Sequence, residues 1–115
     1  MEVMQILHHH ELYASSRIIR LVMAERGIVC LPKSEQPWVY VEDFLRLNPA
    51  GEVPVLMTED GDAICGATVI AEYLEEIEEK TPLIWGSAKE RAEIRRLTEW
   101  FERKFMQEAE ERLEE

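Results

Sequence analysis

Leu47-Asn48-Pro49-Ala50-Gly51-Glu52-Val53-Pro54-Val55-Leu56 is the stretch from which the fold can be read. A turn-rich loop, Asn-Pro-Ala-Gly, runs straight into an apolar segment with a proline at its mouth. Proline cannot donate a ladder hydrogen bond, so within a sheet it belongs to a strand's first residue, an edge or a bulge. An X-Pro bond is also the one peptide bond for which cis is cheap, at about 0.5–1 kcal/mol. A cis bond at Val53-Pro54 would turn the Val53 N–H and C=O outward, as a short edge with which an extended peptide could pair. Taken alone, Val-Pro also fits an ordinary loop-to-strand junction.

Upstream, Val3 to Leu7 forms an apolar strand candidate. Ser15 or Ser16 can cap a helix in which Ile18, Leu21 and Val22 recur at helical spacing. Gly27 then falls where a helix end favours positive φ. Ile28 to Leu31 reads as a second strand closed by Pro32, and Trp38, Val41, Phe44 and Leu45 suggest a short helix ending before Pro49. Downstream, Val55–Met57 and Ala63–Cys65 flank Asp60-Gly61, a strong hairpin signal. Ile70, Tyr73, Leu74 and Ile77 give a third helix one apolar stripe. The order β-α-β-α-β-β-α describes a mixed α/β unit around a four-stranded sheet.

Thr81 to Gly86 reads as a linker. Beyond it, Ser87 and Glu90 have the spacing of a capping box, opening a long helix that could run to Leu113. Ile94, Leu97, Phe101 and Phe105 form its stripe, with Glu99–Arg103 and Glu108–Arg112 as helpful i, i+4 pairs. The chain thus divides into an α/β domain over residues 1–80, a linker over 81–86 and one long helix over 87–115.

With 115 residues, 46% of them hydrophobic, the chain suits one packed domain. A formal net charge of −11 disfavours nucleic acid and anionic membrane surfaces, both of which reward basic patches. No apolar run approaches ~18 residues and no signal peptide follows Met1, so a cytoplasmic location is expected. Cys30 and Cys65 form no C-x-x-C and read as small buried hydrophobes. His8 and His10, alternating on a strand, could supply two metal ligands; with no third ligand identifiable, no metal site is expected, and a strand end at the rim of a site is the preferred reading. The run Glu72, Glu75, Glu76, Glu78, Glu79 reads as a solvated helix face.

Three ordered blocks carry a family resemblance: Ser16-Arg17-Ile18-Ile19-Arg20-Leu21-Val22-Met23-Ala24-Glu25-Arg26-Gly27-Ile28, the Leu47-to-Leu56 segment, and Val69-Ile70-Ala71-Glu72-Tyr73-Leu74. Glu90-Arg91-Ala92 with Trp100-Phe101 adds a fourth. The chain resembles the glutathione S-transferase family, its last helix resembling the first helix of that family's all-α C-terminal domain. The resemblance implies a thioredoxin-like β-α-β-α-β-β-α domain followed by one long α-helix, and a cis-proline at Pro54. It implies glutathione as co-substrate, held by the Val53 backbone beside Pro54, by an acidic-plus-serine pair opening the third helix, and by a Ser, Tyr or Cys near the first.

The family pattern is kept only in part. The acidic-plus-serine pair falls at Gly66-Ala67, with Thr68 next door as a source of one hydroxyl, and Glu52 stands where Lys is frequent. Tyr13-Ala14-Ser15-Ser16 occupies the slot where redox relatives carry C-x-x-C, so no dithiol chemistry is expected. A thiol of pKa ~8.5 is activated by a hydroxyl donor and by the positive end of a helix. Ser15, Ser16 and Tyr13 are the candidates for this; alternatively the serines cap the helix and Tyr13 packs. Two functions follow: a transferase-like protein with a degraded glutathione site, or a non-catalytic binding module that keeps the fold. In either case Ile94, Leu97, Trp100, Phe101 and Phe105 form an apolar face, expected to be buried in a homodimer or higher oligomer.

Overall fold

The computed structural model describes residues 5–39, 41–77, 83–105 and 107–108. Eight elements follow in order: β1 (Gln5–His9), α1 (Ala14–Glu25), β2 (Cys30–Ser34), α2 (Glu42–Leu47), β3 (Val55–Met57), β4 (Ala63–Cys65), α3 (Ala67–Ile77) and α4 (Ala88–Phe105). The strands form one sheet in the order β2-β1-β3-β4. β2 runs parallel to β1, and β3 and β4 continue antiparallel. This is the thioredoxin-like arrangement followed by a long helix.

Register decides which residues form the core. Leu7 stands opposite Leu56, and Leu56 opposite Ile64. That face of the sheet meets Ile19 and Met23 of α1 and Ala67, Ile70 and Leu74 of α3. On the other face, Val55 packs with Tyr13, Val53 and Phe44, the buried residue of α2, and Cys65 borders them. The hairpin closes where Asp60-Gly61 indicates, with Thr58 N–H donating to Asp62 C=O at 2.8 Å and Gly61 N–H to Thr58 C=O at 3.0 Å. Gly27, at φ 68°, ends α1 and lets the Ile28 N–H reach back to the Met23 carbonyl at 2.8 Å.

Several boundaries differ from the sequence expectation, each for a tertiary reason. β1 reaches His9, two residues past Leu7, because its pairing with β2 continues through His9 opposite Ser34; residues 1–4 lie outside the described residues. Pro32 lies inside β2 instead of closing it, which an edge strand tolerates. Trp38 precedes α2 and is not part of it. Ser15 and Ser16 do not cap α1: Tyr13 holds the N-cap position and makes no side-chain cap bond there. Burial of the Tyr13 ring fixes the start of that helix.

Ser87 and Glu90 form the reciprocal capping box, Glu90 N–H to Ser87 Oγ at 3.2 Å and Ser87 N–H to Glu90 Oε1 at 3.1 Å. The bond from the Ser87 N–H, seconded by its hydroxyl, holds the Glu90 carboxyl below its usual range. Glu99 pairs with Arg103 as expected, whereas Glu108 pairs with Lys104 at 2.5 Å. Arg112, Leu113 and the Phe105 side chain lie outside the described residues.

The stripe on α3 is shorter than its spacing suggests. Ile70 and Leu74 are fully enclosed, but Ile77 is 49% exposed. Leu74→Ala should therefore cost about 2–5 kcal/mol through lost burial and a residual cavity. Ile77→Ala should stay within about 0.5 kcal/mol. Urea unfolding midpoints of the two variants check the contrast.

Candidate functional site

Three chain segments converge at one end of the sheet: the mouth of β3, the first turn of α1 and the first turn of α3. The Val53–Pro54 peptide bond is cis. Asn48 shapes the loop before it, its Nδ2 donating to the Glu52 carbonyl at 2.9 Å and its Oδ1 accepting the Ala50 N–H at 3.3 Å. An Asx-type turn of this kind is local side-chain chemistry, and the Asn-Pro pair was its signal in the sequence. Asn48 is the site-shaping residue that sequence reasoning passed over.

The Ser15 hydroxyl donates to the Val53 carbonyl at 3.5 Å, so helix and loop meet there. A bond this long would yield readily to a ligand N–H at the same carbonyl. On the other side, Gly66 N–H donates to the Pro54 carbonyl at 3.0 Å, which sets the start of α3 against the proline. Ser15, Val53, Pro54, Gly66 and, next in sequence, Ala67 and Thr68 are thus brought to one place, with Thr68 exposed and Ala67 nearly enclosed.

The other two hydroxyl candidates are enclosed. Ser16 is fully buried, and its Oγ accepts the His10 N–H at 3.2 Å, tying the end of β1 to α1. Tyr13 is enclosed by Phe44, Val53 and Val55. Its ring also lies 5.3 Å from that of His10, which is 5.0 Å from Trp38. Of the alternatives read from the sequence, packing describes Tyr13. Neither serine caps the helix, and the Ser15 hydroxyl reaches the Val53 carbonyl at the β3 mouth.

Gly66 has φ 98°, in the region that favours glycine, and a Cβ there would meet nothing within 4 Å. Space would admit a side chain; the backbone disfavours one. The first-turn N–H groups of α3 have no intrahelical acceptor and carry the positive end of the helix dipole, which suits a carboxylate. Neither Gly66 nor Ala67 offers an acceptor for an ammonium. Burial raises the pKa of both Cys30 and Cys65, so the two free thiols are poor nucleophiles at neutral pH.

The histidines are engaged separately. His8 Nδ1 lies 3.0 Å from Glu35 Oε1 beside the Phe44 ring, and His10 Nδ1 accepts the Leu12 N–H at 3.2 Å. Among the described residues no group of three metal-ligating side chains is assembled. His9 is buried with its Nδ1 unpartnered. Burial first, and the Arg20 guanidinium second, lower its pKa from the usual 6.5, against a smaller opposing pull from Glu11. The unfolded chain therefore takes up the proton more readily than the folded one. Stability from neutral His9 should be fully present above about pH 6.5 and lost as pH falls through the depressed folded value. Denaturant midpoints from pH 7.5 to 5 should drop more steeply for the unsubstituted protein than for His9→Phe.

Comparison with known proteins gives this site a context. The family model for the glutathione S-transferase N-terminal domain matches residues 14–77. The chain belongs to the glutathione S-transferase family. It is 38% identical over 108 residues to FtsZ-localized protein A of Caulobacter vibrioides, covering 91% of this chain and 47% of that protein. A crystal structure of a glutathione S-transferase from Rhodospirillum rubrum F11 superposes with a TM-score of 0.85 at 44% identity, over 91% of this chain and 48% of that one. A glutathione transferase family member from Pseudomonas fluorescens Pf-5, solved with bound glutathione, matches at 26% identity and a TM-score of 0.71, over 82% of this chain and 47% of that one. The chain spans about half the length of these relatives.

Proposed function

We propose that this chain is a glutathione S-transferase-like protein with a degraded glutathione site, one that binds the tripeptide weakly or not at all. The observation that carries this reading is the Gly66-Ala67 pair at the start of α3, which supplies neither a carboxylate nor a hydroxyl beside Pro54. What the site keeps is the Val53 edge, the Ser15 hydroxyl, the exposed Thr68 and the dipole of α3. A bound thiol would take its activating hydrogen bond from Ser15 once a ligand N–H replaced Ser15 at the Val53 carbonyl. The exposed Glu52 carboxylate repels an anionic ligand, weakened by solvent screening.

Hydrogen bonds to charged groups contribute about 1.5–3 kcal/mol each, so losing even one costs roughly tenfold or more in affinity. Calorimetric titration of the full chain with glutathione should give a dissociation constant in the millimolar range or no heat. Ala67→Ser should tighten binding by about tenfold. Replacing Gly66 by Glu is a poorer restoration than the family pattern suggests, because φ 98° strains any L side chain. Micromolar binding by the unsubstituted chain would overturn the reading.

The second reading, an assembly module, is supported by a separate observation. Leu97, Trp100 and Phe101 on α4 are 42%, 50% and 63% exposed. α4 also carries six basic and four acidic residues in a chain of net charge −11, so its charge complements the remainder of a second copy. Similarity to a protein named for its localisation with FtsZ supports a role in assembly. In this reading the α/β unit of residues 1–80 presents α4, across the linker 81–86, as the contact surface of a cytoplasmic homodimer. No described helix is long and apolar enough to cross a membrane. Burying each such side chain contributes roughly 1.5–3 kcal/mol before association costs. Light scattering at rising concentration should report a mass above that of one chain, and Phe101→Asp should return it to monomer. A strictly monomeric protein at high concentration would rule the assembly out.

A further inference from the structure

Carboxylates outnumber basic side chains by 24 to 13 in this chain, so an arginine has acceptors in excess. Arg95 of α4 donates from Nη2 to Glu72 of α3 at 3.0 Å. Arg26 is ion-paired to Glu75, whose Oε1 also accepts the Leu83 N–H at 2.8 Å. The acidic run that reads as a solvated face is therefore engaged at Glu72 and Glu75; Glu78 and Glu79 lie outside the described residues. Arg20 of α1 is different. It is half-buried, and no carboxylate among the described residues is ion-paired to it. Its Nη2 donates to a backbone carbonyl, that of Glu11, at 3.4 Å, while its Nε is buried without a hydrogen-bond partner.

A second orphaned nitrogen lies close by. Alternation along β1 puts Leu7 and His9 on the face that α1 covers, and His8 on the other, against Phe44. His9 is 5% exposed, and its Nδ1 also has no partner. Two bonds lay the end of β1 along α1. Ser16 Oγ accepts the His10 N–H at 3.2 Å, and one turn further on Arg20 reaches the Glu11 carbonyl. Burial first, and then the Arg20 guanidinium, lower the His9 pKa, so the ring and the cation are within electrostatic reach. Ser34 of the edge strand β2 stands opposite His9 in register, and both Ser34 and Glu11 are exposed. The two nitrogens thus lie just beneath the surface.

Buried polar groups are nearly always hydrogen-bonded, and buried charges are paired. The Arg20 Nε–H can only donate and keeps its proton at any ordinary pH. Imidazole Nδ1 donates in one neutral tautomer and in the imidazolium. Two convergent N–H donors, one of them permanently cationic, call for an acceptor that carries negative charge. We propose that His9 and Arg20 form a binding site for a small oxyanion, phosphate or carboxylate, at the junction of β1 and α1. Its oxygens accept from Arg20 Nε and His9 Nδ1, and none of its residues belongs to the Val53–Ser15–Gly66 cluster. A bound anion favours the imidazolium, so His9 titrates at higher pH with the anion than without it. The other charged groups acting on His9 are Glu11, which raises its pKa, and His10, which lowers it, both weaker than burial and Arg20.

The test is a nuclear magnetic resonance titration of the full, isotopically labelled chain near neutral pH. Sodium phosphate and sodium acetate are added separately, with chloride holding the ionic strength constant. The Arg20 Nε–H and the His9 ring should shift along a saturating curve, and the Nε–H of Arg17, exposed on the same helix, should not. Tighter binding of phosphate identifies the phosphate class, and tighter binding of acetate the carboxylate class. Arg20→Gln and His9→Phe should each weaken binding by about tenfold or more, read from the resonance of the remaining partner. The His9 ring should titrate at higher pH in phosphate than in chloride alone. Where a variant fails to fold, the contrast between Arg20 and Arg17 in the unsubstituted protein decides. Resonances of Arg20 and His9 that ignore both anions, as they would with a bridging water, overturn the site. So do shifts that climb without saturating and in step with Arg17, the mark of an adventitious ion only, and an Arg20→Gln variant of unchanged affinity.

Discussion

Leu7 of β1 and Leu56 of β3 stand side by side in the sheet, and with Ile19, Met23, Ile70 and Leu74 they form the buried seam that clamps α1 and α3 to one face. Each enclosed side chain contributes roughly 1.5–3 kcal/mol relative to exposure, which makes this seam the main source of order in a small domain. Everything at the site follows from it. With both helices fixed on the same face, their first turns arrive at the mouth of β3, where Ser15 meets the Val53 carbonyl and Gly66 meets Pro54. The chemistry then depends on which side chains those first turns carry.

Those side chains set a contrast between scaffold and site. The elements that present a peptide edge are kept: the Asn48 turn, the Val53–Pro54 junction and the start of α3. The groups that would grip a charged ligand are reduced to the Ser15 and Thr68 hydroxyls and the helix dipole. A chain of net charge −11 does not compensate with long-range attraction for an anion. In the proposed reading affinity and fold come apart, as expected when the fold depends on apolar burial and the affinity on a few polar contacts.

Legibility in the sequence followed the range of the interaction. The hairpin at Asp60-Gly61, the helix end at Gly27 and the capping box at Ser87 and Glu90 are local devices, built between residues at most five apart, and each appears where its residues indicate. The start of α1 did not follow its serines, because the Tyr13 ring is pinned by Phe44, Val53 and Val55 from distant segments. The acidic run on α3 likewise read as solvated, since nothing in its spacing announces that Arg95, Arg26 and the Leu83 N–H stand opposite.

By itself the sequence determined the order of the elements, the place of the proline at the strand mouth, the family, and the absence of a carboxylate and a hydroxyl at Gly66 and Ala67. These depend on residue type and short spacing, which are one-dimensional properties. Only the tertiary structure decided that the Ser15 hydroxyl faces the Val53 carbonyl, that Gly66 sits at φ 98°, and that Arg95 of α4 pairs with Glu72 of α3 while Trp100 and Phe101 stay exposed. The reason is common to all three. A side chain's surroundings are set by which distant segments the buried seam brings together, and no local pattern records that.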